Sequence, residues 1–173
     1  MLLKHLPNLL SLMRLLLSPL ILFLEPKLAF WFFALLALSD AIDGFLARAL
    51  NAESALGRAI DPIADRAMIL FALYNTAFIQ DILPKYLFFS VFLRDFLVIL
   101  GAILVLKTSN SIPKSRFSGK FATFSLIVCI LFALRYQESS GILVLIALFS
   151  VAFSLIDYAL KVKLSFKSKA HLL

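Results

Sequence analysis

The run Ser39-Asp40-Ala41-Ile42-Asp43-Gly44-Phe45-Leu46-Ala47-Arg48, continuing through Ala49–Leu56 to Gly57, Asp61 and Asp65, decides the fold. It sets four aspartates at the facing ends of two apolar runs, Leu28–Ala49 and Ile60–Ile79. Asp40 and Asp43 stand at i, i+3, and Asp61 and Asp65 at i, i+4, so each pair shares one helical face. A tight connection around Asn51–Ser54 would lay the two helices side by side and bring the four carboxylates to one point. Alone they would repel, and some would take up protons. One or two divalent cations remove that penalty, and an all-oxygen ligand set suits Mg²⁺ or Mn²⁺ rather than zinc. Spacing leaves two other uses open: ion pairs with Arg48, Arg58 and Arg66, or a proton or cation relay. Gly44 and Gly57 leave room for helices or a phosphate to approach, and Ala47 keeps that face narrow. Arg48 lies about one turn beyond Asp43, where its guanidinium fork suits a phosphate oxygen.

Outward from this stretch the chain is a series of apolar runs. Of its 173 residues 62% are hydrophobic, against ~45–50% in a soluble domain. The runs are too long and too many for so small a core to bury. A spanning helix needs about 20 apolar residues, and six candidates are present: Leu9–Leu24, Leu28–Ala49, Ile60–Ile79, Tyr86–Leu106, Phe121–Tyr136 and Gly141–Leu160. The expected fold is therefore an all-α integral membrane protein, a single domain over 1–173 built as a six-helix bundle. Pro26 and Pro84 punctuate two linkers, and Asn110-Ser111-Ile112-Pro113 reads as a polar turn. The first run has no small-x-small cleavage site before Glu25-Pro26, so it reads as a retained helix. Cys129 lies inside an apolar run and reads as a small buried hydrophobe.

The net charge of +7 is concentrated at the ends of apolar runs. That pattern points to lipid headgroups rather than nucleic acid. Alternate loops form two sets. One holds Lys4, Arg48, Arg58, Lys107, Lys114, Arg116, Lys120 and the tail lysines 161, 163, 167 and 169; the other holds only Lys27, Lys85 and Arg135, each near an acid. The positive-inside rule puts the first set and both termini in the cytoplasm. The aspartate cluster then faces the cytoplasm from the cell membrane. Odd helix numbers would mix the sets.

The spacing Asp40-x2-Asp43-Gly44-x2-Ala47-Arg48-x8-Gly57-x3-Asp61-x3-Asp65 resembles the signature of the CDP-alcohol phosphatidyltransferases. All eight specified positions are filled, a match with chance odds on the order of 10⁻¹⁰ per start position at average composition. The resemblance implies that Asp40, Asp43, Asp61 and Asp65 ligate Mg²⁺ or Mn²⁺ and that Asp65 is also the general base. It implies that Gly44, Arg48, Ser54 and Gly57 lie against the CDP moiety, and that the protein is a homodimer. Pro7-Asn8-Leu9-Leu10-Ser11-Leu12-Met13-Arg14 is similar to the Pro-Asn-x-Leu-Thr-x-x-Arg opening of the phosphatidyl-transferring branch. Asn8 would then contact the nucleotide, or cap the first helix, or both.

Arg94-Asp95, inside the fourth span, and Ser118-Gly119-Lys120-x2-Thr123 are similar to elements around the family's acceptor pocket. Ala122 stands where the family's second lysine would be. Arg94 and Lys120 are the candidate acceptor contacts, with a buried structural pair as the other reading of Arg94 and a membrane anchor as the other reading of Lys120. These features most resemble the phosphatidylglycerophosphate synthases. That implies transfer of a phosphatidyl group from CDP-diacylglycerol to a small phosphorylated alcohol, glycerol 3-phosphate, with release of CMP. A cardiolipin synthase using phosphatidylglycerol is the second reading. A small cation transporter and a non-catalytic lipid-binding relative are readings from other classes.

Overall fold

The computed structural model describes residues 6–49, 55–108 and 117–170, with side-chain surroundings for 11–39, 62–102 and 117–162. Among the described residues there are six α-helices and no strand: α1 (Leu6–Leu17), α2 (Pro26–Ala49), α3 (Ala55–Tyr74), α4 (Lys85–Thr108), α5 (Phe117–Tyr136) and α6 (Gly141–Ala170). The expected turns at Asn51–Ser54 and Asn110–Pro113 fall outside the described residues. Among the described residues, two helical stretches, Phe117–Tyr136 and Gly141–Val162, are long and apolar enough to cross a membrane. Ser11–Phe23 and Pro26–Ser39 are shorter apolar helical stretches.

One compact unit comprises residues 1–85 and 130–139. Within it the first expected span is not one helix. α1 stops at Leu17 and a 3₁₀ stretch, Ser18–Phe23, follows. The cause is Pro19, which has no N–H to give the carbonyl of Leu15. The Ser18 hydroxyl donates to that carbonyl instead, at 3.0 Å. The far end of α3 is also irregular. After Tyr74 the chain widens into one π-turn, Asn75–Ile79, closed by the Gln80 N–H on the Asn75 carbonyl at 2.8 Å. The two irregular segments are stitched together. Asn75 Nδ2 donates to the Ile21 carbonyl at 2.8 Å and Gln80 Nε2 to the Leu24 carbonyl at 3.3 Å.

α3 runs through the middle of this unit. It buries Ala64, Met68, Ile69, Ala72 and Leu73, the i, i+4, i+5, i+8, i+9 stripe of one helix face. α1 packs on it inside out compared with a helix of a soluble protein. With the 3₁₀ stretch that follows, it buries Ser11, Arg14 and Ser18, while Leu16, at 68% exposure, and Leu12, Met13 and Leu20 face outward. Burying polar groups and exposing leucine suits a hydrocarbon solvent.

The second unit comprises residues 86–129 and 140–173. α5 and α6 meet there through small residues. Ala122 and Ser125 are buried on α5, and Val144, Ala147, Ser150, Val151 and Ser154 on α6. The Ser125 and Ser150 hydroxyls lie 2.6 Å apart, and each also bonds a carbonyl of its own helix, Ala122 and Ala147. Small and hydroxyl-bearing side chains let helix backbones approach where lipid supplies no hydrophobic drive. The outer face of α6 carries Ile142, Leu145, Phe149, Phe153 and Ile156, all exposed. α4 also approaches α6: a Cβ placed on Gly101 would lie 2.7 Å from Tyr158 Cε1.

Candidate active site

α2 carries Asp40, Asp43, Gly44 and Arg48 in its last turns, and α3 carries Gly57, Asp61 and Asp65 in its first half. The two helices are in contact. Both aspartate pairs therefore lie on α-helix, where the spacings i, i+3 and i, i+4 keep each pair on one face. The side chains of Asp40, Asp43, Gly44, Arg48, Gly57, Asp61 and Asn8 lie outside the described residues, as does Ser54 altogether. Pro62 sits between Asp61 and Asp65 and removes one N–H from the helix ladder, which leaves the Arg58 carbonyl without its usual i+4 donor.

Asp65 is the described member of the quartet. It lies on the flank of the buried α3 stripe, one position after Ala64, and is 31% exposed. Arg14 of α1, 1% exposed, pairs with it through Nη1 on Oδ1. A guanidinium this deeply buried needs a counter-charge, and the carboxylate is held in turn by a side chain locked in the α1–α3 contact. Sequence spacing suggested Arg48, Arg58 or Arg66 as partners for the acids. Arg14, a partner of Asp65 that spacing did not suggest, is 51 positions away and belongs to the Pro-Asn-x-Leu opening. That opening contained the signal, because Arg14 is a cation inside the first apolar run.

Among the described residues no three His, Cys, Asp or Glu side chains come together. The donor chemistry of the quartet fits a hard divalent cation: four carboxylates, no thiolate and no imidazole. Arg14 supplies a positive charge beside one of them, Asp65.

The candidate acceptor residues lie in the other unit. Arg94 is 2% exposed, and its guanidinium is engaged: Nη1 donates to Asp95 Oδ1 at 2.9 Å and Nη2 to Ser154 Oγ at 2.8 Å. The Gly119 position is beside it, with Arg94 Nη2 3.8 Å and Ser154 Oγ 3.9 Å from where a Cβ would be. One residue back, Ser118 Oγ donates to Asp157 Oδ2 at 2.7 Å. The Arg-Asp pair and the Gly-Lys element thus meet α6 in one polar layer. Lys120 is exposed. Sequence reasoning missed Ser154 and Asp157 as members of this layer. Asp157 was detectable, being an acid near the end of the sixth apolar run.

Residues 4–156 match the family model described as CDP-alcohol phosphatidyltransferase. The chain is 35% identical over 170 residues to the CDP-diacylglycerol–glycerol-3-phosphate 3-phosphatidyltransferase of Aquifex aeolicus, covering 91% of this chain and 95% of the relative. It is 30% identical over 152 residues to the protein of the same name from Rickettsia felis, covering 82% and 81%. It is 35% identical over 158 residues to the cardiolipin synthase (CMP-forming) of Streptomyces coelicolor, covering 86% and 73%.

Proposed function

Because this chain belongs to the CDP-alcohol phosphatidyltransferase family, we propose that it transfers the phosphatidyl group of CDP-diacylglycerol to glycerol 3-phosphate and releases CMP. The observation that carries this reading is the aspartate quartet, set in helical register on two contacting helices, α2 and α3. The acceptor follows the Aquifex aeolicus relative, whose name gives that reaction.

Asp40, Asp43, Asp61 and Asp65 would hold Mg²⁺ or Mn²⁺, which offsets the negative charge of the donor's pyrophosphate. Asn8, Gly44, Ser54 and Gly57 line the CDP moiety, and Arg48 forks onto a phosphate oxygen. Asp65 takes the proton of the acceptor hydroxyl as that oxygen bonds to the β-phosphorus. The bond from that phosphorus to the CMP oxygen breaks in the same in-line step, with Arg48 against the charge growing on CMP. Arg14 keeps Asp65 in place through the exchange. Lys120, and Arg94 with its pair, border the acceptor.

Residues 1–173 form one membrane domain of six spans, with both termini and the site on the cytoplasmic side of the cell membrane. The outward leucines of α1 and the outward aromatic face of α6 support that setting. The donor's acyl chains then stay in the bilayer while its head reaches water. Two copies make a homodimer.

A second reading, transfer to phosphatidylglycerol, gains from the engagement of Arg94 with Asp95 and Ser154, since those two nitrogens are already occupied. The test is purified protein with CDP-diacylglycerol and Mg²⁺, assayed for CMP with each acceptor in turn. Release with glycerol 3-phosphate is expected. Release with phosphatidylglycerol alone would move the chain to the second reading, and ion flux without CMP would end both.

A further inference from the structure

The unit of residues 1–85 and 130–139 holds a cavity of about 380 Å³ lined by Lys27, Phe30, Trp31, Leu134, Arg135 and Gln137. Its position sets it apart from the aspartates. Lys27 is in the first turn of α2 and Asp40 is 13 positions along the same helix, about 20 Å at 1.5 Å per residue.

Two cations face this cavity. Lys27, Phe30 and Trp31 stand at i, i+3, i+4 on one face of α2, and Arg135 is in the last turn of α5. The nearest acids in sequence are Glu25 and Glu138, both exposed. Neither forms an ion pair with Lys27 or Arg135; ion pairs among the described residues include Arg14–Asp65, Lys85–Asp81 and Arg94–Asp95. Arg135 does sit over the Tyr136 ring, 5.6 Å from its centroid. Sequence proximity to an acid therefore did not become pairing here. Two like charges brought to one concave surface without a carboxylate leave a positive potential that an anion relieves.

The remaining wall is three apolar side chains and one amide, Phe30, Trp31, Leu134 and Gln137. Phe30 and Trp31 meet edge to face with centroids 5.2 Å apart, and Leu134 is buried beside them. Gln137 ends α5 in the left-handed region, φ 55°, with its N–H on the Ala133 carbonyl at 2.8 Å. A non-glycine residue takes that conformation at a cost, and here it turns the chain so that an amide joins the cavity. Among the described residues, α5 is one of two stretches apolar enough to span a membrane. Its last turn, with Tyr136 and Trp31 at hand, is where aromatic side chains mark the headgroup level.

The geometry points to a binding site for an anionic phospholipid, distinct from the catalytic site. Its phosphate lies between Lys27 and Arg135, and its first acyl carbons lie against Phe30, Trp31 and Leu134. This rests on the membrane setting of the chain and does not depend on which acceptor the enzyme uses.

Trp31 is the sole tryptophan of the chain, so its emission reports on the cavity without turnover. The full-length protein in neutral detergent is titrated with short-chain phosphatidylglycerol, short-chain phosphatidylcholine and free glycerol phosphate. A saturable change in Trp31 emission is expected with phosphatidylglycerol alone. In Lys27→Gln/Arg135→Gln the half-saturation point should rise at least tenfold, with CMP-releasing activity kept. Lys27→Arg/Arg135→Lys, which preserves both charges, should bind as the parent does and covers the case in which the neutral variant misfolds. An equal response to phosphatidylcholine, or an unshifted response in a folded neutral variant, overturns the site. Saturation by glycerol phosphate as readily as by the lipid overturns the lipid assignment.

Discussion

Arg14 on α1 and Asp65 on α3 are an ion pair that joins the first helix to the candidate site, with the cation 1% and the carboxylate 31% exposed. Breaking a fully buried pair by removing one partner costs about 3–5 kcal/mol. Since Asp65 is partly exposed, Arg14→Met should destabilise by roughly 2 kcal/mol once solvent screening is allowed for. Thermal unfolding in detergent measures it. The same variant should lower kcat more than it raises KM for CDP-diacylglycerol, because it frees the orientation of Asp65.

Asp65→Asn keeps the shape and removes the proton acceptor. CMP release should fall by roughly 10²–10⁴-fold, the range for a positioned general base, while the protein still folds. A near-normal rate with folded protein would remove Asp65 from the base role.

Chelation should stop CMP release, and Mg²⁺ or Mn²⁺ should restore it. Asp61→Asn should raise the half-saturating Mg²⁺ concentration at least about tenfold, since even outer-shell losses reach that size. A rate indifferent to chelator would show that the quartet serves another purpose.

Gly101 and Gly119 should respond oppositely to alanine. A Cβ at Gly101 would stand 2.7 Å from Tyr158 Cε1, so Gly101→Ala should cost about 1–3 kcal/mol as overpacking. Adding Tyr158→Ala should recover part of it. At Gly119 the nearest atoms are 3.8 and 3.9 Å away. Gly119→Ala should therefore be neutral or gain up to about 1 kcal/mol from helix propensity. Unfolding midpoints of the three variants decide.

Asn75 Nδ2 is the buried donor to the Ile21 carbonyl. Asn75→Leu should cost about 1–3 kcal/mol, the penalty for an unsatisfied buried acceptor. A loss much smaller than this, by the same unfolding measurement, would mean that the 3₁₀ stretch does not depend on this bond.

The helix count and the helical setting of the aspartates were legible because both are local. Hydrophobic run length locates a helix, and i, i+3 or i, i+4 spacing puts side chains on one face. Ends were less legible. α3 begins at Ala55 rather than Ile60, α5 at Phe117 rather than Phe121, and α6 continues to Ala170 rather than stopping at Leu160. The apolar window finds the part that hydrocarbon would cover, while the backbone ladder runs on through Ser, Gly and Lys. The break after Leu17 was written in Pro19 all the same, and a run scored by apolarity overlooked it.

What the chain determined by itself is its periodicity, its breakers and the register of four carboxylates along two helices, since each depends on residues a turn or two apart. Only tertiary packing decided that Arg14 answers Asp65, that Arg94 spends two nitrogens on Asp95 and Ser154, and that Lys27 and Arg135 share a cavity. Apart from the neighbouring Arg94–Asp95 bond, these contacts join residues 51 to 108 positions apart. Their partners follow from which helix faces pack together, and the energy that selects those faces is summed over whole interfaces rather than held in any short run of sequence.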